Sequence, residues 1–242
     1  MFRERIKSDP QCFALAIVVV TMVSGGIVGC TNQFSQFYTG KTAAELQTSG
    51  WALDNAAAEP TVIGVEPSEF KSILRQHMED GWIDLGYSSW SGQGQAGSSN
   101  DALLQARKVG AKRVLVASKF LGTSSYANTY YTVNAAFLIK RIGRPVFGVY
   151  YRRMTPDEQK ATGTVDGLAV DVVVRGSPAA EAGIVSDDVI TQIGSYRIVN
   201  EDEFREALAE MQGKSTTIKL FRRGELLEKT AVLESGPVVS SP

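Results

Sequence analysis

Few residues in this chain are placed so that they could make or break bonds. The single histidine, His77, has Asp80 three positions on, a pair that could act as a general base or as part of a metal site. One histidine without a second group of ligands is ordinarily structural, and no metal is expected. Ser68-Glu69-Phe70-Lys71 has the Ser-x-x-Lys spacing of an acyl-transfer nucleophile, but no Lys-Thr-Gly strand follows it. It reads as a helix cap and first turn. Gly92-Gln-Gly-Gln-Ala-Gly97 satisfies G-x-G-x-x-G between an expected strand and an expected helix. A dinucleotide site also needs an acidic residue about twenty positions on to hold the ribose, and the chain offers Ala117-Ser-Lys-Phe120 there. A flexible loop is the better reading. Gly40-Lys41-Thr42 ends like a phosphate-binding loop, yet Ser35 stands where the first glycine belongs and no strand is expected before it. No cofactor and no catalytic residue is expected, so the chain reads as a non-enzyme. Hydrolysis sited in residues 60–142 is the enzymatic alternative.

The chemistry that does stand out is covalent attachment near the N-terminus. Arg3, Arg5 and Lys7 precede an apolar run from Phe13 to Val23, which ends in Ser24-Gly25-Gly26. Positive, apolar and small segments in that order read as an export signal. The run approaches the roughly 20 residues a spanning helix needs, so a retained anchor is the alternative. Ile27-Val28-Gly29-Cys30 resembles the bacterial lipobox. That resemblance implies a signal peptide over residues 1–29, cleavage before Cys30, and lipid (palmitate among the acyl chains) on Cys30. Two acyl chains suffice for stable anchoring. Thr31 rather than Asp after the cysteine implies the outer membrane, facing the periplasm, if the host is Gram-negative. The other cysteine, Cys12, is discarded with the signal, which leaves no cysteines for a disulfide framework or a zinc site in the folded body.

Composition narrows the partners. The chain has 242 residues, with 25 basic against 26 acidic side chains and a formal net charge of -1. No basic patch interleaved with aromatics suggests a nucleic-acid face. The length allows one or two domains besides the export segment.

The elements that must position any site follow from periodicity. Residues 30–59 are polar and Ala-rich and read as a lipidated tether, or else a weakly packed arm. Residues 60–142 read as a small α/β sheet domain. It has a strand at 60–65 and a helix carrying Phe70, Ile73, Leu74, His77 and Met78 capped by Ser68. A strand over 82–87 and a loop over 89–99 follow, then a helix capped by Asn100 and ended by Gly110. Strands at 113–118 and 131–140 complete it.

In residues 143–235 the signals are sharper. Leu168, Val170, Val172 and Val174 alternate as in a half-buried strand. Ser177-Pro178 opens a one-turn helix that Gly183 ends, and Asp188–Gly194 is a strand running into a turn. Asn200 with Glu203 forms a capping box for a helix whose Phe204, Ala207, Leu208 and Met211 share a face, and Gly213 stops it. Ile218 and Leu220 alternate, and Arg222–Glu225 is a hairpin turn. Residues 236–242 read as a flexible tail.

Gly176-Ser-Pro-Ala-Ala-Glu-Ala-Gly183 with Asp187-Asp188-Val189-Ile190, supported by Arg144–Val149, Thr155-Pro156, Asp202–Phe204 and Phe221–Gly224, carries a resemblance over about ninety residues. The unit is similar to bacterial PDZ domains of the circularly permuted kind found behind Htr-type periplasmic serine proteases. The protease domain itself is missing from that comparison, since residues 31–142 are too few for it. The implied fold is α+β: the α/β sheet domain followed by a PDZ domain built as a partly open β-barrel with two helices. PDZ domains take an extended peptide as an added strand at a sheet edge. The resemblance assigns Phe147-Gly148-Val149 to the carboxylate loop and Val149, Tyr150 and Tyr151 to the strand beside the ligand. Leu208 and Met211 share the apolar pocket with Phe147, and Arg144 occupies the basic position. The implied protein is a membrane-anchored lipoprotein of the cell envelope that binds C-terminal peptides or unfolded segments of envelope proteins. A role as accessory to a periplasmic protease in protein quality control is the alternative.

Overall fold

Three long strands with alternating apolar residues dominate the first part of the computed structural model, which describes residues 32–93, 98–124 and 128–236. The export segment, Cys30, residues 94–97 of the glycine-rich run and the tail from 237 lie outside the described residues. β3 (Trp82–Gln93), β4 (Arg113–Thr123) and β5 (Thr129–Lys140) pair antiparallel with β5 in the middle. β1 (Tyr38–Gly40) joins the β3 edge and β2 (Thr61–Gly64) lies parallel to β4, giving the order β1-β3-β5-β4-β2. Successive side chains of a strand point to opposite faces. Central β5 therefore sends Val133, Ala135, Phe137 and Ile139 into one core and Ala136 and Leu138 into another. The first core is closed by α1 (Gln33–Gln36), α2 (Ala43–Thr48) and α4 (Ser99–Val109), the second by α3 (Phe70–Glu79).

The structure differs from the sequence reading at several points here. Residues 32–53 are not a tether: Phe34, Leu46, Trp51 and Leu53 are buried, and Phe34 packs edge-on against Trp90 at 4.8 Å. The scattered aromatics of a polar stretch bury enough surface to hold it down. The loop expected from 89 is strand as far as Gln93, because Ser89 and Ser91 lie on the exposed face. Their hydroxyls hydrogen-bond Asn134 and Thr132 across the ladder, each at 2.8 Å. Ser98, not Asn100, caps α4, its Oγ accepting from Asp101 N–H at 3.1 Å. Ser68 caps nothing, since α3 begins at Phe70 behind Glu69 with no side-chain cap. Among the described residues, no helix is long and apolar enough to cross a membrane.

The second part is a fully antiparallel sheet. β6 (Val149–Arg152), β7 (Leu168–Val173), β8 (Val189–Ile193), β10 (Ser215–Arg222) and β11 (Glu225–Val232) stand in the order β11-β10-β8-β7-β6, with short β9 (Tyr196–Arg197) on β8. The partly open barrel with two helices is corrected in two respects. The sheet is open, with β11 and β6 as its end strands, and it carries three helices: α5 (Pro156–Thr162), α6 (Pro178–Glu181) and α7 (Glu201–Glu210). The third, α5, is opened by a capping box between Thr155 and Glu158. Its core joins Val170, Ile190, Ile193, Phe204, Leu208, Ile218 and Leu220.

Candidate functional site

The segment leading into β6 is shaped by two carbonyls. Phe147 C=O accepts from Ala179 N–H at 3.0 Å, and Gly148 C=O accepts from Val174 N–H at 2.9 Å. In a trans peptide unit the carbonyl and the following N–H point in opposite directions. With both carbonyls held on the side of residues 174–179, the N–H groups of Gly148 and Val149 are turned away from it. Gly148 makes this possible, with φ at +90° and Ser177 so close that a Cβ would lie 2.2 Å from the serine's own. Two adjacent amides aimed the same way suit an anion.

Beyond the loop, β6 is the end strand of its sheet and pairs only with β7 among the described strands. Facing it is α7, opened by the capping box in which Asn200 Oδ1 accepts from Asp202 and Glu203 N–H at 2.7 and 3.3 Å. Glu203 Oε2 accepts in return from Asn200 N–H at 3.0 Å. Between strand and helix runs a groove lined by Phe147, Val149, Tyr151, Phe204 and Leu208. Phe204 lies at its base, edge-on to Tyr151 at 5.0 Å and tilted against Phe147 at 6.2 Å. A strand edge beside an apolar trough is the arrangement that accepts an extended guest.

Phe147, Gly148, Val149, Tyr151 and Leu208 therefore meet in one groove, but three of the expected site residues have other work. Arg144 lies outside it: Nε donates to Gly176 C=O at 3.0 Å, and the guanidinium pairs with Glu181 at 2.7 Å and Glu234 at 2.6 Å. The hydrogen bond to Glu181 holds its proton more tightly still. Met211 caps the end of α7 and turns toward Gly194, against the core. Tyr150 borders the groove with its backbone, while its ring points to the opposite face and packs with Val172, Val174 and Met78. Its hydroxyl donates to Trp82 C=O at 3.3 Å, and burial pushes the phenol up to about 12.

Two groove residues were not foreseen, Trp51 and Arg141. The segment after α2 runs beside the exit of β5, with Leu53 bridged to Arg141 and Ile142 N–H donating to Ala52 C=O at 2.9 Å. This places the Arg141 guanidinium over the Trp51 ring at 4.4 Å. Trp51 is an aromatic in a polar, Ala-rich stretch, the local signal that could have marked it; nothing local marks Arg141.

Two of the enzyme-like motifs have structural partners. His77 Nδ1 lies 2.8 Å from Ile73 C=O one helical turn back, and Asp80 pairs with Arg175 instead. Contrary to expectation a strand, β1, does precede Lys41-Thr42, but the Thr42 hydroxyl caps α2 in a capping box with Glu45.

Residues 170–222 match the model of the PDZ domain family. The chain thus contains a PDZ domain, although the matched residues exclude the loop at 147–149 and both Trp51 and Arg141. Among solved structures, the chain is similar to the HtrA3 PDZ domain bound to a phage-derived ligand (FGRWV), at 23% identity over 36% of this chain and 83% of that one, with a TM-score of 0.32. It is also similar to the HtrA-type protease AlgW with decapeptide, at 18% identity over 48% of this chain and 41% of that one, with a TM-score of 0.33. A variant of AlgW with decapeptide matches at 19% identity over 52% of this chain and 43% of that one, with a TM-score of 0.35. The chain spans less than half the length of the AlgW chains.

Proposed function

We propose that this protein captures the C-terminal end of a peptide, or of an unfolded segment of an envelope protein, as an added strand between β6 and α7. The PDZ domain is the binding module, of the permuted bacterial kind, and no catalysis accompanies binding. The observation that carries this reading is the pair of fixed carbonyls at Phe147 and Gly148. They aim two amides at the end of the β6–α7 groove, where a guest strand would place its carboxylate.

The test is the affinity of the full chain for peptides ending in Val or Leu, each with a free and an amidated C-terminus. Free acids are expected to bind at least about tenfold more tightly, a difference of roughly 1.4 kcal/mol. Gly148→Ala, which places a methyl against Ser177, is expected to remove most of that preference, with thermal melting used to confirm folding. Equal binding of the two forms by the unaltered chain would sink the carboxylate reading.

The protein carries this groove on a lipid anchor in the cell envelope, a reading supported by Ile27-Val28-Gly29-Cys30 behind the apolar run. Radiolabelled palmitate fed to expressing bacteria is expected to label the protein and not its Cys30→Ser form. Labelling of both, or of neither, counts against the anchor.

A further inference from the structure

We propose that the first lobe supplies part of the peptide site: Arg141 and the indole N–H of Trp51 receive the ligand's terminal carboxylate together with the amides of Gly148 and Val149. The inference rests on the peptide-binding reading above and extends it to residues outside the family match.

Two independent observations lead here. The first is a cation without an anion. Among the described residues Arg141 makes no ion pair; Arg113, Arg153 and Arg223 share that state but do not line the groove, while Arg205, the other arginine that does, is paired with Asp202. Its charge is partly withdrawn from water, and that burial lowers its affinity for its proton. Such a guanidinium is short of an acceptor, and its planar fork suits a carboxylate. The second is a donor without an acceptor. Trp51 is only 6% exposed, and its Nε1–H is buried with no hydrogen-bond partner. Buried donors are normally satisfied, so a lone one invites a missing acceptor. The two side chains stack on each other and border the same groove as Phe147, Gly148 and Val149.

One oxygen acceptor carrying negative charge would satisfy both groups, and both line the groove that the loop at 147–149 also lines. The alternative cation, Arg144, is already held by Glu181, Glu234 and Gly176 C=O. Arg205, which also borders the groove, is paired with Asp202. Of the arginines that line the groove, Arg141 is the one without an ion pair. Its place is set by the first sheet, through β5 and the segment at 51–53, so discrimination between acid and amide ends depends on both lobes.

The experiment uses the full chain and the tightest-binding peptide of the panel above, as free acid and as amide. In the unaltered protein the acid is preferred about tenfold or more. Arg141→Met is expected to cut that preference to about threefold or less by weakening the acid more than the amide, and Arg144→Met to leave it intact. Trp51→Phe, which keeps a ring under the guanidinium but has no N–H, is expected to cost a severalfold part of the preference. Should Arg141→Met melt early, ¹⁵N spectra of the unaltered chain decide. The Trp51 indole N–H signal should move downfield with the acid and not with the amide. Full preference retained in Arg141→Met, or an indole signal indifferent to the acid, overturns this inference and leaves peptide binding standing. An unaltered chain that binds neither peptide form removes both.

Discussion

At the scale of single residues, what a side chain does is decided by what it can reach. Asp84 illustrates this on the first sheet. It sits at the β3 bulge, where its Oδ1 accepts from Gly86 N–H at 3.0 Å, and burial pushes its carboxyl up to about 6. Between the ordinary carboxylate range near 4 and that value, the folded state holds a proton that the unfolded chain has lost. Stability is therefore expected to fall as pH rises through this window and to level off above it. Asp84→Asn keeps the acceptor for Gly86 and carries no charge. It should flatten that part of the profile and be more stable at pH 7 by on the order of 2 kcal/mol, as read by urea unfolding at pH 4.5 and 7. A variant less stable than the parent at pH 7 would show that the charged carboxylate is favourable after all. The resemblance assigned Gly148 to a loop, and its φ of +90° is one that glycine tolerates. The sequence could not tell Arg144 from Arg141, because an arginine's partner is a matter of distance and not of neighbours in the chain.

At the scale of elements, local signals carried furthest where capping and turn chemistry act within a few residues. Asn200 with Glu203 and Ser177 with Pro178 each cap the helix they announce, and Gly110 ends α4 in the left-handed region at φ +78°. Arg223 and Gly224, both with positive φ, make the two-residue turn between β10 and β11. The Asp188 of the motif after Gly183 is fully buried, and its two oxygens are gripped by Arg222 at 2.7 and 2.8 Å. Arg222 also donates to Gly183 C=O at 2.8 Å, so the turn after α6 is tied to β10 across 39 positions of sequence. The same short-range logic misplaced the caps of α3 and α4, since several polar residues stood near each helix start. It read Ser89–Ser91 as loop because hydroxyls on an exposed strand face look like loop hydroxyls until their cross-strand partners are known.

At the scale of the molecule, the two sheets share a small core in which Met78 of α3 packs with Tyr150, Val172 and Val174. Around it Arg175 pairs with Glu79 and Asp80, and Arg75 with Asp171. These exposed pairs contribute little each, so the apolar contact should carry the coupling. Calorimetry of the unaltered chain is expected to show one transition. Tyr150→Ala should cost about 3–5 kcal/mol and split the melt in two. Two separate transitions in the unaltered chain would disprove the coupling. The coupling also bears on the groove, whose back is Tyr150's strand and whose anion end borders the first sheet. The sequence by itself determined the strand from Leu168, the helices opened by Ser177 and Asn200, and the hairpin turn at 222–225 in the second part, though not α5. These depend on backbone preferences and caps that act over a handful of residues. Only the tertiary structure decided that Trp51 and Arg141 stack on each other and line one groove with the loop at 147–149, and that Arg144 is spent elsewhere. Contacts across ninety positions depend on how strands order within a sheet, and no local pattern records that order.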